Sequence, residues 1–298
     1  MFWPKVTIGV CVRNCANTIQ DAIQSIIAQD YPHDRIEVIF VDDGSHDETL
    51  SKIKECATRM DMKVKIFHHK WKGIGYSRNV VVRNANGDYI LWIDGDMIIS
   101  SNFLRRLVKF MEDNPNVGIA KGKQAMEAVG NLLSTLENYS RAIGRMVDYT
   151  SEKARFKSLG TGGAIYRVKA IKQAGLFDEK LRGYGEDQDL EIRIRNKGWL
   201  LQVVNVKFYD YERKKITWRD LWKRYWLRGY YSRYFSQKNK GVIKHYKMIP
   251  LTALIAGLIH AVRLYRIVRQ RLVFFLPLQY LFKMSAWYIG YLNNYGNL

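Results

Sequence analysis

The chain has 298 residues, of which 47% are hydrophobic and 13% aromatic, and its formal net charge is +20. This composition suffices for one large domain or a domain plus an appendage, and it excludes an intrinsically disordered chain. The three cysteines argue against a disulfide framework and for a reducing compartment. The N-terminal residues do not have the pattern of a signal peptide, so we expect the α/β part of the chain to face the cytoplasm.

Strands and helices alternate over the first 125 residues. Four short apolar runs are predicted as buried strands, at 6–12, 36–41, 64–67 and 89–93. Helical patterns lie between them: one is capped by Asn17, one opens with a capping box of Ser45 and Glu48, and one covers 75–84. This alternation predicts a Rossmann-like α/β fold with a mostly parallel sheet, in which ligands bind beyond the carboxyl ends of the strands.

Acidic residues follow two of these strands. The sequence Asp-Asp-Gly-Ser at 42–45 could hydrogen-bond a base or ribose, although the same residues favour a turn and a helix cap. Asp94 and Asp96 follow the fourth strand with one glycine between them. Two such carboxylates can share one Mg²⁺ or Mn²⁺ with substrate phosphates, or they can form a simple turn.

Six motifs together carry a resemblance to a known family. They are VTIGV at 6–10, VDDGS at 41–45, GIGYSRN at 73–79, GDYILWIDGD at 87–96, GTGGA at 160–164 and GEDQDL at 185–190. In this order and spacing, the chain resembles the family 2 glycosyltransferases of the GT-A fold over residues 6–211. The resemblance implies transfer of a sugar from a nucleotide-diphosphate sugar, linked to UDP or GDP.

The resemblance also implies which residues bind the donor. Those expected at the nucleotide are Val12, Asn14, Asp42, Asp43, Arg78 and Asp94. Asp43 is expected at the base and Arg78 near the phosphates. Asp96, with Asp94, is expected to bind Mn²⁺ or Mg²⁺, which would stabilise the departing diphosphate. Many relatives place a His where this chain has Asp210, and we expect Asp210 to be a third metal ligand.

The acid motif at 185–190 opens a predicted helix that runs to about residue 197. By resemblance, Asp187 is expected to be the general base, with Glu186 as the second choice, and the reaction inverts the anomeric centre. Acids in a first helical turn also suit the helix dipole without any catalytic role. Gly162, Gly163 and Asp189 are expected at the sugar and acceptor, although the two glycines would also suit a plain tight turn.

The C-terminal segment is basic and aromatic. Residues 211–298 contain 17 Lys or Arg, two acids, and 19 of the 39 aromatic residues. We therefore divide the chain into a catalytic domain at 1–212 and a C-terminal module at 213–298. From Thr217 onward the pattern is helical, with an aromatic stripe that would suit either a core-packed helix or an interfacial helix.

Two apolar runs, at 248–262 and 272–292, flank four arginines. The first run is short for a membrane span and Lys283 interrupts the second, so we favour in-plane or re-entrant helices over two spans. The basic connector would then lie among anionic headgroups at the cytoplasmic face of the cell membrane. Nucleic acid as a partner would not explain these runs.

We therefore expect an inverting, metal-dependent glycosyltransferase with a C-terminal helical membrane-associated module. Its acceptor would be a lipid-linked or membrane-presented glycan, as in cell-envelope synthesis. One alternative is a processive polysaccharide synthase, which lacks support because neither a multi-span pore nor a clear QxxRW motif is evident. The other is a non-catalytic, basic protein that binds nucleotides or nucleic acid.

Overall fold

The computed structural model describes residues 3–125, 128, 130–144, 149, 157–210, 216–244 and 248–294. The chain forms two compact units. The sheet unit comprises Met1–Ala125, Asp148–Arg182 and Glu186–Tyr211, and the helical unit comprises Met126–Val147, Gly183–Gly185 and Glu212–Leu298. The predicted boundary at 212 lies outside the described residues. The helical unit also takes in two earlier segments, which one cut in the sequence could not reveal.

The strands and helices have the following bounds. The strands are β1 (Val6–Val12), β2 (Ile36–Asp42), β3 (Lys63–His68), β4 (Tyr89–Trp92), β5 (Met97–Ile99), β6 (Val117–Gln124), β7 (Ala164–Arg167) and β8 (Leu200–Asp210). The α-helices are α1 (Ile19–Ile27), α2 (Thr49–Ala57), α3 (Ile74–Asn84), α4 (Phe103–Asp113), α5 (Leu132–Gly144), α6 (Val168–Ala174), α7 (Glu186–Asn196), α8 (Trp218–Lys238), α9 (Pro250–Val268) and α10 (Leu276–Asn293).

The described strands form one sheet in the order β3-β2-β1-β4-β7-β6-β8-β5. The first four predicted strands are confirmed, and β3, β2, β1 and β4 pair in parallel. Beyond β4 the sheet is mixed, because β7 pairs antiparallel with both β4 and β6. The α/β prediction is therefore confirmed, but the parallel arrangement is confined to the N-terminal half and the β6–β8 pair.

Apolar side chains from β1, β2 and β4 fill the core of the sheet unit, together with α1 and α4. The strands are buried on both faces, which explains their continuous runs of Val, Ile and Leu.

Two predicted helix starts are wrong. α1 begins at Ile19, after Thr18, and α2 begins at Thr49, after Glu48. The Ser45 hydroxyl cannot cap α2 because it donates to the Asp42 carboxylate and accepts from the backbone N–H of Asn14.

The helical unit contains α5, α8, α9 and α10. α8 begins with a capping box, in which Thr217 and Asp220 satisfy each other's backbone N–H groups. α8 and α10 approach closely at Gly229 and Gly290, where a Cβ atom would overlap the facing backbone. Small residues at such a crossing let two helix backbones come together.

Candidate active site

Several groups predicted for the donor site lie together at the carboxyl edge of the parallel strands. Val12, the last residue of β1, pairs in register with Asp42, the last residue of β2. The backbone N–H of Asp43 donates to the Val12 carbonyl at 2.9 Å. Burial raises the pKa of the Cys11 thiol to about 12, and the charges of Arg78, Asp94 and Asp43 also act on it. The charges of Arg78, Asp94 and Asp43 therefore all act on the end of β1.

Asp42 is buried and organises the turn after β2. One carboxylate oxygen accepts from the Ser45 backbone N–H at 3.1 Å, and the other contacts His68 Nδ1 at 2.9 Å. Asn14, which has a φ of 53°, accepts from the His46 backbone N–H through its side-chain oxygen at 2.9 Å. Asp42 and Asn14 thus shape the backbone around the predicted nucleotide site.

Asp43 is also buried, and it fixes the loop that follows β3. Its carboxylate accepts from the backbone N–H groups of Lys72 at 2.7 Å and Gly73 at 3.0 Å. The same loop carries Trp71, which is 42% exposed, and the Arg13 guanidinium lies 5.6 Å from the centre of its ring. Sequence reasoning missed this exposed pair, because only the folded loop brings the two side chains together.

Asp94 and Asp96 are half-buried in the turn between β4 and β5. The Met97 backbone N–H donates to the Asp94 carbonyl at 3.0 Å, which closes the turn. The Asp94 carboxylate lies directly against Gly162, where an added Cβ would overlap it. This contact gives Gly162 a steric reason to be glycine.

These two carboxylates suit a hard divalent cation, which takes oxygen ligands and usually completes its shell with water and substrate phosphates. The described residues contain no group of three or more His, Cys, Asp or Glu side chains that could hold a metal. Asp210 pairs in register with Met97, the residue after Asp96, but its side chain lies outside the described part. The carboxylate oxygens therefore suit a Mg²⁺ or Mn²⁺ ion that is bound jointly by the protein and a diphosphate.

Arg78, on α3, forms a buried ion pair with Glu186 at the start of α7. The Arg78 guanidinium also donates to the Thr161 hydroxyl at 2.5 Å. Burial alone would lower the pKa of Arg78, but the carboxylates of Glu186, Asp187 and Asp94 raise it above its ordinary value. Arg78 therefore connects the acid motif on α7 with the loop before β7.

The two acids that begin α7 have different surroundings. Glu186 is 6% exposed, and burial, followed by the charge of Asp187, raises its pKa to about 7. Asp187 is half-buried, and one of its oxygens accepts from the Gln188 backbone N–H at 2.7 Å. Asp187 is thus the more accessible carboxylate of the pair.

A buried acid and a buried base clamp the loop that precedes Thr161. Glu191, on α7, accepts from the backbone N–H groups of Leu159 at 2.9 Å and Gly160 at 2.8 Å. Lys121, on β6, donates to the carbonyl oxygens of the same two residues at 2.7 and 3.1 Å. The sequence analysis did not predict this clamp. The one indication of it was a lysine, Lys121, in the middle of a strand.

The loop held in this way contains the predicted sugar-site glycines. The Gly163 backbone N–H donates to the Trp92 carbonyl at 2.9 Å, and its φ of 72° favours glycine. A Cβ at Gly163 would overlap the ring of Phe208. The loop therefore runs directly beside the end of β4.

Asp189 is fully buried, and this geometry places it behind the site. Its carboxylate forms a 2.7 Å ion pair with Arg193, which also donates to the Leu176 carbonyl at 2.6 Å. These bonds fasten α7 to the end of α6. We expected Asp189 to contact the acceptor, but neither of its carboxylate oxygens is exposed to do so.

Comparison with known proteins gives a consistent picture. The model of the family described as glycosyl transferase family 2 matches residues 7–175. A protein of Rickettsia bellii named as an uncharacterized glycosyltransferase is 29% identical over 198 residues, which are 66% of this chain and 27% of that protein. The chain thus spans about a quarter of that relative's length.

Two solved structures share the fold. A mannosyltransferase from Pyrobaculum calidifontis, in complex with GDP-Man and Mn²⁺, is 19% identical and has a TM-score of 0.65, covering 97% of this chain and 88% of that one. TarS 1–349 from Staphylococcus aureus, in complex with UDP-GlcNAc, is 16% identical with a TM-score of 0.55, covering 97% and 91%. Because the family model matches more than half of its residues, the chain belongs to the family 2 glycosyltransferases.

Proposed function

We propose that the protein is an inverting, metal-dependent glycosyltransferase. It would transfer one sugar from a UDP- or GDP-linked donor to a lipid-linked or membrane-presented glycan acceptor at the cytoplasmic face of the cell membrane. The proposal is supported chiefly by one arrangement, in which the accessible Asp187 carboxylate adjoins the buried Arg78–Glu186 pair. The similar proteins of known structure are in complex with GDP-Man or UDP-GlcNAc, which supports this donor class.

In the proposed reaction, Asp187 accepts the proton of the acceptor hydroxyl. The hydroxyl oxygen then forms a bond to the anomeric carbon from the face opposite the diphosphate. The bond between that carbon and the phosphate oxygen breaks, and its electron pair leaves with the nucleoside diphosphate. The configuration at the anomeric carbon is inverted in this single displacement.

Asp94 and Asp96 would hold the cation, with Asp210 as a proposed third ligand. A bound Mn²⁺ or Mg²⁺ would offset the negative charge that develops on the departing diphosphate. Arg78 holds Thr161 and Glu186 in place and adds positive charge close to Asp94. Val12, Asn14, Asp42 and Asp43 would form the floor of the nucleotide site through the backbone that they shape.

The primary test is the release of nucleoside diphosphate from a panel of UDP- and GDP-sugars, with Mn²⁺ or EDTA, in the presence of a membrane lipid extract. We expect release from one donor, which is lost with EDTA and in an Asp187→Asn variant. An Asp34→Asn variant, altered at an exposed acid, serves as the matched control. Full activity of Asp187→Asn would overturn the assignment of the base.

The proposed third ligand has its own test. An Asp210→Ala variant should bind Mn²⁺ more weakly than the wild type in the presence of UDP or GDP, as measured by calorimetry. Asp113→Ala, altered at an exposed acid on α4, is the matched control. Unchanged affinity of Asp210→Ala for Mn²⁺ would remove this residue from the metal site.

A further inference from the structure

α9 exposes a continuous apolar face. Five of its large apolar side chains are between 47% and 69% exposed and lie on one side of the helix: Leu251, Ile255, Leu258, Ile259 and Val262. The opposite side of the helix carries the buried residues Ala253, Gly257, Ala261 and Leu264. An exposed apolar face of this length marks an interaction surface.

The connector between α9 and α10 adds positive charge to this face. Four exposed arginines lie in or beside it: Arg263, Arg266, Arg269 and Arg271. Ile267 lies between these arginines, and Phe274 and Phe275 follow them; the three side chains are 50–53% exposed. Residues 221–298 contain no Asp or Glu, so nothing acidic in this segment offsets the arginines. Exposed apolar side chains next to arginines match the chemistry of an anionic lipid headgroup layer.

We infer that the α9 face and this connector bind in the plane of an anionic membrane surface, with the apolar side chains inserted below the headgroups. We call these residues, 251–275, the docking surface. The inference deepens the proposed function and rests on its membrane-presented acceptor. Residues 251–275 would contact the lipid, with α9 lying parallel to the membrane surface.

Length and composition alone would also allow two spans. The described residues contain two helices apolar enough to cross a membrane, Pro250–Val268 and Arg271–Asn293. A spanning hairpin would carry Arg269 and Arg271 of the connector to the far side of the membrane, with Arg263 and Arg266 in the last two turns of α9. Positive charge is retained on the cytoplasmic side, so this topology is disfavoured.

The packing of α10 also opposes a spanning arrangement. The rings of Trp218 and Trp222 lie 4.8 and 5.2 Å from that of Phe282, near the middle of α10. At the other end, Arg233 donates to the Asn294 carbonyl at 2.6 Å. α10 therefore lies along α8, and α8 carries Arg219, Lys223, Arg224, Arg228 and Arg233. A helix with this charge does not enter hydrocarbon without a large cost.

Lys283 belongs to the interior of the helical unit. Its ammonium group donates to the Glu137 carboxylate at 2.9 Å and to the Ser140 hydroxyl at 3.1 Å, both on α5. The face of α10 that carries Lys283 thus contacts protein. The lysine that interrupts the second apolar run is therefore internal and paired, and it lies outside the docking surface.

A second copy of the chain is a poorer occupant for the same surface. A two-fold interface through the docking surface would bring the four arginines of one copy close to those of the other, because such an interface uses the same patch twice. Like charges at this spacing repel, whereas anionic lipids neutralise them. Self-association is therefore an outcome that the test must be able to detect.

Flotation of the 298-residue chain with phosphatidylcholine vesicles, with and without phosphatidylglycerol, tests the electrostatic contribution to membrane binding. We expect binding to the anionic vesicles that weakens as salt is raised. A variant with Arg263, Arg266, Arg269 and Arg271 changed to Gln should bind them at least about tenfold more weakly. The matched control changes four exposed basic residues of the sheet unit to Gln: Lys54, Arg106, Lys169 and Lys172. Equal loss in both variants, or no binding by the wild type, would overturn the inference.

Two further measurements test the contribution of the apolar side chains to membrane binding and the side of the membrane on which the connector lies. A variant with Leu251, Ile255 and Ile259 changed to Ser should lose vesicle binding while it remains monomeric in sedimentation equilibrium. An Arg271→Cys variant, bound to the outside of vesicles, should react with an impermeant maleimide above the wild-type background. Protection of Arg271→Cys from the reagent would show that the connector crosses the membrane, and a wild-type dimer abolished by the serine variant would show a second copy as the occupant. Binding is scored without donor sugar, so failure of the proposed reaction leaves this test intact.

Discussion

The Arg78 guanidinium donates a hydrogen bond to the Glu186 carboxylate, and the two side chains are only 8% and 7% exposed. Asp187, the next residue, is half-buried beside this pair. The pairing divides two adjacent acids between two tasks, since Glu186 accepts a hydrogen bond from a buried guanidinium while Asp187 stays accessible. An acid that is committed to a buried arginine is poorly placed to accept a proton from an incoming hydroxyl.

The first prediction separates these two acids. Asp187→Asn should lower kcat by about 10²–10⁴-fold, which is the contribution of a positioned general base, with little change in the free energy of unfolding. Glu186→Gln should instead lower the free energy of unfolding by about 1–3 kcal/mol, because a neutral amide accepts a weaker hydrogen bond from the buried Arg78 guanidinium than the carboxyl group does. Steady-state kinetics and urea unfolding of both variants measure the two effects. The reverse pattern, with the loss of kcat in a stable Glu186→Gln variant, would make Glu186 the base.

The second prediction concerns the dependence of stability on pH. Burial, followed by the charge of Asp187, raises the pKa of Glu191 to about 7 from an ordinary value of 4.5. The folded state therefore holds this proton more tightly than the unfolded state does. The resulting stabilisation is complete below pH 4.5 and is lost as the pH rises through 7, with a slope of at most about 1.4 kcal/mol per pH unit.

Comparison with a Glu191→Gln variant isolates this contribution. The free energy of unfolding of the wild type, minus that of Glu191→Gln, should decrease between pH 5 and pH 8 in urea titrations. Glu55→Gln, altered at an exposed acid, should show no such trend and is the matched control. A difference that grows with pH would mean that Glu191 is stabilised in its charged form.

The sequence was sufficient to predict the features that depend on local pattern. The runs at β1, β2 and β4 are apolar on both faces, so strand type and burial could be recognised without a fold. The acids at 42, 43, 94 and 96 follow from the same reasoning, because a strand end in such a sheet opens toward ligands. The placement of these four acids at strand ends could therefore be predicted from the sequence.

Their partners were not predictable, because these come from distant parts of the chain. Ser45 lies in a sequence typical of a helix cap, but its hydroxyl forms hydrogen bonds with Asp42 and Asn14 instead. Lys283 interrupts an apolar run in the sequence, yet Glu137, 146 residues away, neutralises it inside the protein. Local propensity says nothing about contacts of this separation, and they decide which polar groups are accessible.

The third prediction tests the contact between Gly162 and Asp94. Gly162→Ala should weaken Mn²⁺ binding in the presence of nucleoside diphosphate, since the new Cβ would overlap the Asp94 carboxylate and displace it. Gly144→Ala is a matched control because an added Cβ there meets nothing within 4 Å. Calorimetric titration of Mn²⁺ measures the effect, and thermal unfolding verifies that both variants are folded. Equal Mn²⁺ affinity in the two variants would dissociate Asp94 from the metal site.

The fourth prediction concerns the buried Glu137–Lys283 pair of the helical unit. Glu137→Gln and Lys283→Met should each lower the free energy of unfolding by about 3–5 kcal/mol, because each removes the opposite charge that pairs with a buried charge. The Tyr225 hydroxyl also donates to Glu137 at 3.3 Å, so the loss in Glu137→Gln includes part of a second bond. The double variant should recover much of the loss, since it removes both charges, and a double-mutant cycle then isolates the interaction energy of the pair. Urea unfolding of the four proteins provides the measurement. Strict additivity of the two single changes would mean that the charges stabilise the unit through other neighbours.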